Sequence, residues 1–473
     1  MLFPKQFLVI RLLLMLACSY GLVQATETQP DIVFIVVDDL NDWVGAMGGH
    51  PQSKTPNIDT LAAQGVLFTN AHCNAPQCAS SRASLLKGLY PRSTGKYFNS
   101  TKRPSYFGDQ PMEGITSKTS PVDPIALHQH FLESGYRVVS GGKVAHSGMK
   151  RGLDAYFQRL GEKESFTNTK VNLWGEGGPQ NLDDSETGDY EVAQWAIEQW
   201  NHTEKDPLLM MVGFYRPHRP LNVPEKYFEK FPLESIQLPL TPDFDDLEDL
   251  PDYAKGVAYY HAHKDPYKPR STHEHILHLG GEQEWKYMVQ SYLACINYVD
   301  TQIGLLLESL KQNPRGRETV IVLTSDHGWN LGEKGNWCKA ALWKNTTRVP
   351  YIVVHPGVSL AGTQNNQPVS LVDLYPSLCD FAGLAKPKHL EGESILPLLQ
   401  DPNAKRDVAF VSYGPENTVA QSERYRYIRY EDGSEELYDH LNDPHEWTNL
   451  SDNPEYAAIK ERHKERVMDF QNK

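Results

Sequence analysis

"DIVFIVVDD" (residues 31–39) is an unbroken run of apolar, mostly β-branched residues that ends in two carboxylates. A strand with one wet face would alternate polar and apolar residues. This run does not alternate, so it suits a strand covered by helices on both faces. A second run of the same kind, "TVIVLTSDHG" (319–328), ends in Asp326-His327-Gly328. "TTRVPYIVVHPG" (346–357) reads as another core strand. Helical spacing fits "NIDTLAAQGV" (57–66), "ALHQHFLESG" (126–135), "DYEVAQWAIEQW" (189–200), "EWKYMVQSYLACINYVDTQIGLLLESLKQ" (284–312) and "SLVDLYPSLCDFAGL" (370–384). Strands interleaved with helices predict an α/β fold with a largely parallel sheet flanked by helices. Ligands of such sheets bind beyond the carboxyl ends of the strands, where both acidic clusters fall.

Past about residue 390 the texture changes. "RYRYIRYEDGSEELYDH" (424–440) alternates and turns at Asp432-Gly433, so it reads as a hairpin. A charged helix follows to Lys473. The expected division is a signal segment at 1–25, a main domain at 26–390, and a smaller C-terminal α+β subdomain at 391–473. Lys5 and Arg11 ahead of "LLLMLACSYGLV", with Val23-Gln24-Ala25 behind it, predict export to the periplasm or the medium. Lipoprotein anchoring at Cys18 is the rival reading. No later stretch is apolar enough to span a bilayer, so an integral membrane protein is not expected. The formal net charge of −14 argues against general nucleic-acid binding. An anionic substrate must then be drawn in by a local field. The five cysteines after Cys18 (Cys73, Cys78, Cys295, Cys338 and Cys379) form no disulfide framework, and Cys78 is the candidate free thiol.

From Thr60 to Gly108 there is no Asp or Glu, although Arg82, Lys87, Arg92, Lys96, Lys102 and Arg103 fall within it. Inside this segment "CASSRASLLKG" (78–88) reads as a helix entry with Cys78 in or just before the first turn. Helix N-termini present free N–H groups and attract anions. Arg82 lies one turn on. A lone cysteine is ordinarily a small buried hydrophobe, but here its neighbours are polar and basic. Asp38, Asp39, Asp326 and His327 at two strand ends supply three carboxylates and an imidazole. Such carboxylates repel one another unless a cation holds them, and oxygen ligands suit Ca2+ or Mg2+ better than zinc. Each Asp-Asp or Asp-His pair alone would read as a turn or cap. The histidine-rich stretch 261–278 (His261, His263, His273, His275 and His278) falls in a loop-rich region, 233–285, and reads as a substrate-facing rim, an exposed insertion or a zinc site.

On these residues the chain resembles the type I, formylglycine-dependent sulfatases of the alkaline-phosphatase-like superfamily. The signature is Cys78-Ala79-Ser80-Ser81-Arg82 followed by Lys87-Gly88. Supporting matches are "VDDLNDW" (37–43), "TPNIDTLAAQGVLFTNAH" (55–72), "GKVAHSG" (142–148), "YRPHRP" (215–220), "YVDTQIG" (298–304), "TSDHGWNLGEKGNWCK" (324–339), "RVPYIVVHPG" (348–357) and "LVDLYPSL" (371–378). "GKVAHSG" and "SDHGWNLGEKGNW" are most similar to the iduronate-2-sulfatase branch. The resemblance implies an alkaline-phosphatase-like fold and oxidation of Cys78 to Cα-formylglycine by a formylglycine-generating enzyme. It implies one Ca2+ held by Asp38, Asp39, Asp326 and His327 together with an oxygen of modified Cys78. Arg82 would steady the oxyanion, Lys143 and Lys339 would bind sulfate oxygens, and His146 and His218 would move protons. The implied reaction removes sulfate from a sulfated carbohydrate, with a uronate 2-O-sulfate as first candidate. One diol hydroxyl attacks sulfur and the other expels sulfate.

Two positions depart from the signature. Ser80 stands where proline or alanine is usual, and Lys87 where threonine is usual. Ser80 bears on maturation, because the generating enzyme reads this element before the chain folds. Two alternatives therefore stay open. One is a phosphonate monoester hydrolase or phosphodiesterase of the same superfamily. The other is a non-catalytic binder of sulfated glycans, if Cys78 is not converted.

Overall fold

The computed structural model describes residues 29–99, 124–147, 149, 153–157, 177–202, 206–242, 245–258 and 271–472. The expected signal segment, Cys18, His261 and His263 lie outside the described residues, as do residues 100–123.

An eight-stranded sheet forms the centre. Its strands are β1 (Ile32–Val37), β2 (Val66–Phe68), β3 (Arg137–Gly142), β4 (Ala155–Phe157), β5 (Leu208–Phe214), β6 (Val320–Ser325), β7 (Tyr351–Val354) and β8 (Thr363–Asn365). The spatial order is β8-β2-β7-β6-β1-β5-β3-β4. Only β7 runs against the others. The two runs read as two-sided strands, β1 and β6, are neighbours at the middle, with Ile32 opposite Val320 and Val37 opposite Ser325.

Alternation sorts the side chains of β1 onto two layers. Ile32, Phe34 and Val36 join one core; Val33, Ile35 and Val37 join the other. Helices α1 (Pro56–Gln64), α3 (Gly188–Asn201) and α4 (Thr272–Gln312) cover the second layer. The first layer takes α2 (Cys78–Lys87), the helix at Leu374–Phe381 and the inner face of a separate four-stranded sheet. That sheet comprises β9 (Ala409–Ser412), β10 (Thr418–Gln421), β11 (Tyr425–Arg429) and β12 (Glu435–Asp439). Strands β11 and β12 form the expected hairpin, with Gly433 at φ 87° in its turn. Val411, Val419, Ile428 and Tyr438 of this sheet share a core with Phe34, Tyr351 and Tyr375 of the main body. Its outer face packs on α5 (Ala457–Asn472) through Ala420, Tyr427, Leu437 and Val467.

Arg426 of β11 is fully buried at this seam. It donates to the carbonyl of Leu342, to Thr347 Oγ1 (2.6 Å) and to Gln421 Oε1 (2.9 Å), and its Nε lies 3.3 Å from Glu446 Oε1. Glu446 also accepts from His440 Nε2 (2.8 Å) and the Lys344 amide (2.8 Å). The Thr347 carbonyl in turn takes the amide of Cys73 (2.8 Å), five residues before Cys78.

The reading of 233–285 as loop-rich is corrected over its last part, which is helical from Thr272. Ser271 caps α4 by accepting from the Glu274 amide (3.1 Å), while Glu274 accepts from the Ser271 amide (2.8 Å). This capping box is legible in "STHE". The helix runs from Thr272 and bends at Gly281, where φ is 64° and ψ −160°. His273 accepts a hydrogen bond from Trp337 Nε1 (3.2 Å) and packs edge-on against Trp285. Among the described residues no metal-ligating cluster forms around it.

Two motifs behind the resemblance prove to brace the fold. The first-turn amides of α1 get no capping bond from Thr55. Asp300 of α4 accepts instead from the amides of Asn57 (3.1 Å) and Ile58 (2.8 Å) and from Asn57 Nδ2 (2.8 Å). One turn on, Gly304 leaves room for Asn57, whose Cγ would lie 2.5 Å from an added Cβ. Asp300→Ala strands three donors, so it is expected to lose about 1–3 kcal/mol in urea unfolding. An unchanged midpoint would show that water replaces the carboxylate.

Candidate active site

Register decides which residues meet. The carboxyl ends of four consecutive strands, β6, β1, β5 and β3, lie side by side. Asp326-His327 leave β6, Asp38-Asp39 leave β1, the Tyr215–Pro220 loop leaves β5, and Lys143 and His146 leave β3. Asp38 donates its amide to the Phe214 carbonyl (3.1 Å), and Asp326 donates its own to Val37 (3.3 Å), which continues the sheet by one residue. Helix α2 aims its N-terminus at this row. Its first residue is Cys78, fully buried.

Asp38, Cys78, Asp326 and His327 place ligand atoms within 4.8 Å of one another, and so do Asp38, Asp39, Cys78 and His218. His327 Nδ1 faces the Gly328 carbonyl at 3.0 Å, which fixes the proton on Nδ1 and leaves the Nε2 lone pair toward the centre. That Nε2 lies 3.3 Å from Cys78 Sγ and 3.2 Å from Asp39 Oδ1. Lys339 Nζ donates to Asp39 Oδ1 at 2.7 Å and lies 3.1 Å from Cys78 Sγ. Lys143 is ion-paired to Asp38 Oδ2, with its ammonium 4.9 Å over the Tyr215 ring. Although burial pushes the Asp38 carboxyl up, Lys143, His218, Arg82 and Lys339 hold it well below the usual range. Burial, aided by Asp38, Asp326 and Asp39 and opposed by Lys339, pushes the Cys78 thiol up.

The residues fit a hard divalent cation. Three buried carboxylates and an imidazole converge, and Asp39 Oδ2 is buried with no hydrogen-bond partner. Such an orphaned acceptor costs free energy unless a cation satisfies it.

Arg82, expected to steady the oxyanion, also bonds two of the strand-end carboxylates. Its Nε donates to Asp326 Oδ2 and its Nη2 to Asp38 Oδ1, both at 2.9 Å, and its Nη1 to the carbonyls of Lys143 and Val144. The guanidinium thus clamps carboxylates from β1 and β6 together. Ser81 Oγ adds a bond to the Asp326 carbonyl (2.5 Å), and Ser80 Oγ donates to the Tyr97 carbonyl (3.1 Å). The Ala79 amide donates to Asn99 Oδ1 (2.8 Å).

His218 Nε2 lies 3.9 Å from Asp39 Oδ2, and its Nδ1 faces the Arg219 carbonyl at 2.6 Å. Burial first, then Lys339 and Lys143, lowers its pKa to about 3 against Asp39 and Asp38. Two residues absent from the sequence reading shape this loop. Asp189, at the start of α3, accepts from the amides of Tyr215 (2.7 Å) and Arg216 (2.9 Å). Buried Arg216 donates to the carbonyls of Asn222 (2.7 Å) and His218 (3.1 Å). Neither carries a sequence signal, since an acid near a helix start is commonplace. His146 is exposed, three residues beyond Lys143. None of the five cysteines of the described residues is joined in a disulfide, and all five are buried.

Residues 30–384 match the family model described as Sulfatase, and residues 332–473 match that of the N-sulphoglucosamine sulphohydrolase C-terminal region. A "Sulfatase" of Formosa agariphila is 35% identical over 92% of this chain and 86% of its own. The iduronate 2-sulfatase of Mus musculus is 31% identical over 76% of this chain and 69% of its own. A solved "2-O GAG sulfatase" superposes with a TM-score of 0.71 at 25% identity, covering 93% of this chain and 92% of that one. Sheet, site and sequence agree: the chain belongs to the sulfatase family, in the branch that includes the iduronate-2-sulfatases, and is a sulfuric ester hydrolase.

Proposed function

We propose that the chain removes sulfate from the 2-O position of a uronic acid in a sulfated carbohydrate, using formylglycine at position 78 and one Ca2+. The observation that carries the chemical part is the convergence of Asp38, Asp39, Asp326 and His327 on Cys78 Sγ beside two lysines. The likeness to the iduronate 2-sulfatase and the 2-O GAG sulfatase supports the uronate 2-O choice.

Asp38, Asp39, Asp326 and His327 would hold the cation, together with an oxygen of the modified residue 78. The cation supplies positive charge that offsets the negative charge of the sulfate oxygens. A formylglycine hydrate at position 78 would supply two hydroxyls, one for attack on sulfur and one for release of the sulfate. Lys143 and Lys339 bind sulfate oxygens from two sides; burial opposes their charge, but Asp38 beside Lys143 and Asp39 beside Lys339 more than offset it and keep both protonated. Arg82 fixes Asp38 and Asp326 and so keeps their repulsion from opening the site. His218 keeps Nδ1–H on the Arg219 carbonyl, which makes Nε2 the atom that exchanges a proton with the departing sugar oxygen. The anionic ester raises the pKa of this imidazole as it binds. His146, at the exposed mouth, takes the proton of the second hydroxyl. Maturation requires a formylglycine-generating enzyme, and Lys5, Arg11 and the apolar run behind them support export. No helix among the described residues is long and apolar enough to cross a membrane.

The test is sulfate release from defined disaccharides. A uronate 2-O-sulfate is expected to be the best substrate, ahead of 6-O- and N-sulfated glucosamine and of aryl phosphonates. Preference for any of the others overturns the positional reading. In the same assay His218→Ala is expected to slow sugar sulfates about 10²–10⁴-fold but nitrophenyl sulfate far less, because a good leaving group needs no acid. Equal losses on both would remove His218 from the acid role.

A further inference from the structure

Asp38 and Asp39 pose a geometric problem. Consecutive side chains of an extended chain point to opposite faces, yet both carboxylates reach one cluster with Cys78. The chain solves it at Asp39, which has a left-handed backbone with φ 59°. For a residue other than glycine this conformation costs about 1–2 kcal/mol, so something must hold it.

Three contacts do. The Asp39 amide donates to Asp326 Oδ1 (3.1 Å), and the Leu40 amide donates to Ser325 Oγ (3.0 Å). The third comes from α4, on the far side of the turn. The hydroxyl of Tyr292 donates to the Asp39 carbonyl (2.7 Å) and accepts from the Asn41 amide (3.0 Å). One buried phenol oxygen therefore satisfies backbone groups on both sides of Leu40. Among the described residues no other group partners the Asp39 carbonyl or the Asn41 amide, and Asn41 uses its side chain elsewhere, on the Trp329 carbonyl (3.1 Å) and the Trp43 amide (3.0 Å). The Tyr292 ring is itself fixed, edge-on to Trp43 at 5.4 Å and stacked on Trp329 at 6.3 Å. Trp329 lies 5.5 Å beneath the Lys339 ammonium.

We propose that Tyr292 is the positioning residue that keeps Asp39 turned toward the cation, so that cation affinity depends on a hydroxyl touching neither cation nor substrate. The inference rests on the reading that a divalent cation binds between Asp38, Asp39, Asp326 and His327. Without the hydroxyl, two buried backbone groups lose their partner and the turn relaxes toward extended backbone, which carries the Asp39 carboxylate away.

The test uses the full chain as wild type, Tyr292→Phe and Asp39→Asn, stripped with EGTA and titrated with Ca2+ while binding heat and thermal midpoint are followed. Phenylalanine keeps the ring between Trp43 and Trp329. Tyr292→Phe is expected to weaken Ca2+ binding about tenfold or more and to shrink the Ca2+-induced rise in the midpoint at a fixed concentration. Its metal-free midpoint should fall somewhat as well, since two buried backbone groups lose their partner, so the Ca2+ affinity is the deciding measurement. Affinity within about twofold of wild type overturns the inference, provided Asp39→Asn binds more weakly, and leaves the cation reading standing. A lowered metal-free midpoint with unchanged Ca2+ affinity also overturns it, since it marks the hydroxyl as structural only. A wild type that binds no Ca2+ overturns the cation reading and this inference together.

Discussion

Cys78→Ala protein is expected to fold as the wild type does and to lose sulfate release by on the order of 10⁴-fold or more, the scale of nucleophile removal in other hydrolases. The side chain is fully buried and small, so alanine fits without rearrangement. What disappears is the atom at the meeting point of His327 Nε2, Lys339 Nζ and Asp39. Cys78→Ser separates two explanations of that loss. Serine offers one hydroxyl and no second one to expel sulfate, so it should stop after at most one equivalent and retain covalent sulfate on residue 78. Mass spectrometry of the peptide spanning Cys78 reads both this adduct and, in the wild type, conversion of the thiol to the aldehyde. A wild type that turns over substrate with an intact thiol would refute the formylglycine reading. Burial adds a condition: an added generating enzyme should not restore activity to folded, unconverted protein.

The second large effect concerns stability. Breaking the buried Arg426–Glu446 pair with Glu446→Ala or Glu446→Gln is expected to cost about 3–5 kcal/mol, because Arg426 would keep its charge in the seam without its counterion. Denaturant unfolding at neutral pH measures it, and a loss below about 1 kcal/mol would mean that the Gln421, Leu342 and Thr347 acceptors suffice. The pair also predicts a pH signature. Burial raises the Glu446 carboxyl, but Arg426 and His440 more than offset this and bring it down to about 2 from an ordinary 4.5. A folded value below the unfolded one means that this stability is complete above about pH 4.5 and drains away as pH falls toward 2. Wild-type stability should therefore fall more steeply across that window than that of Glu446→Gln.

The strand ends were legible in the sequence because their signal is local. Asp38-Asp39 and Asp326-His327 each close an unalternating apolar run, and neighbouring strands in register must bring such endings together. Cys78 and Arg82 were legible as a pair at a helix entry. Arg82's partners were not, since which carboxylates a guanidinium meets depends on where α2 docks. Tyr292, Asp189 and Arg216 were silent for the same reason. Each acts on backbone groups supplied by another element, and a tyrosine on a buried helix face looks like any core aromatic. The start of α4 was not legible as helix although its capping box is written in four letters, because Gly280-Gly281 cuts it off from the long apolar-periodic run that begins at Glu284.

The core shared between Phe34 of β1 and Val419 and Ile428 of the four-stranded sheet limits how such a protein can diversify. A chain cut near residue 390 would bare an oily wall beneath its own central strand, so the tail is not a detachable module that recombination can trade between relatives. New specificities must instead arise by rewriting loops around an indivisible body.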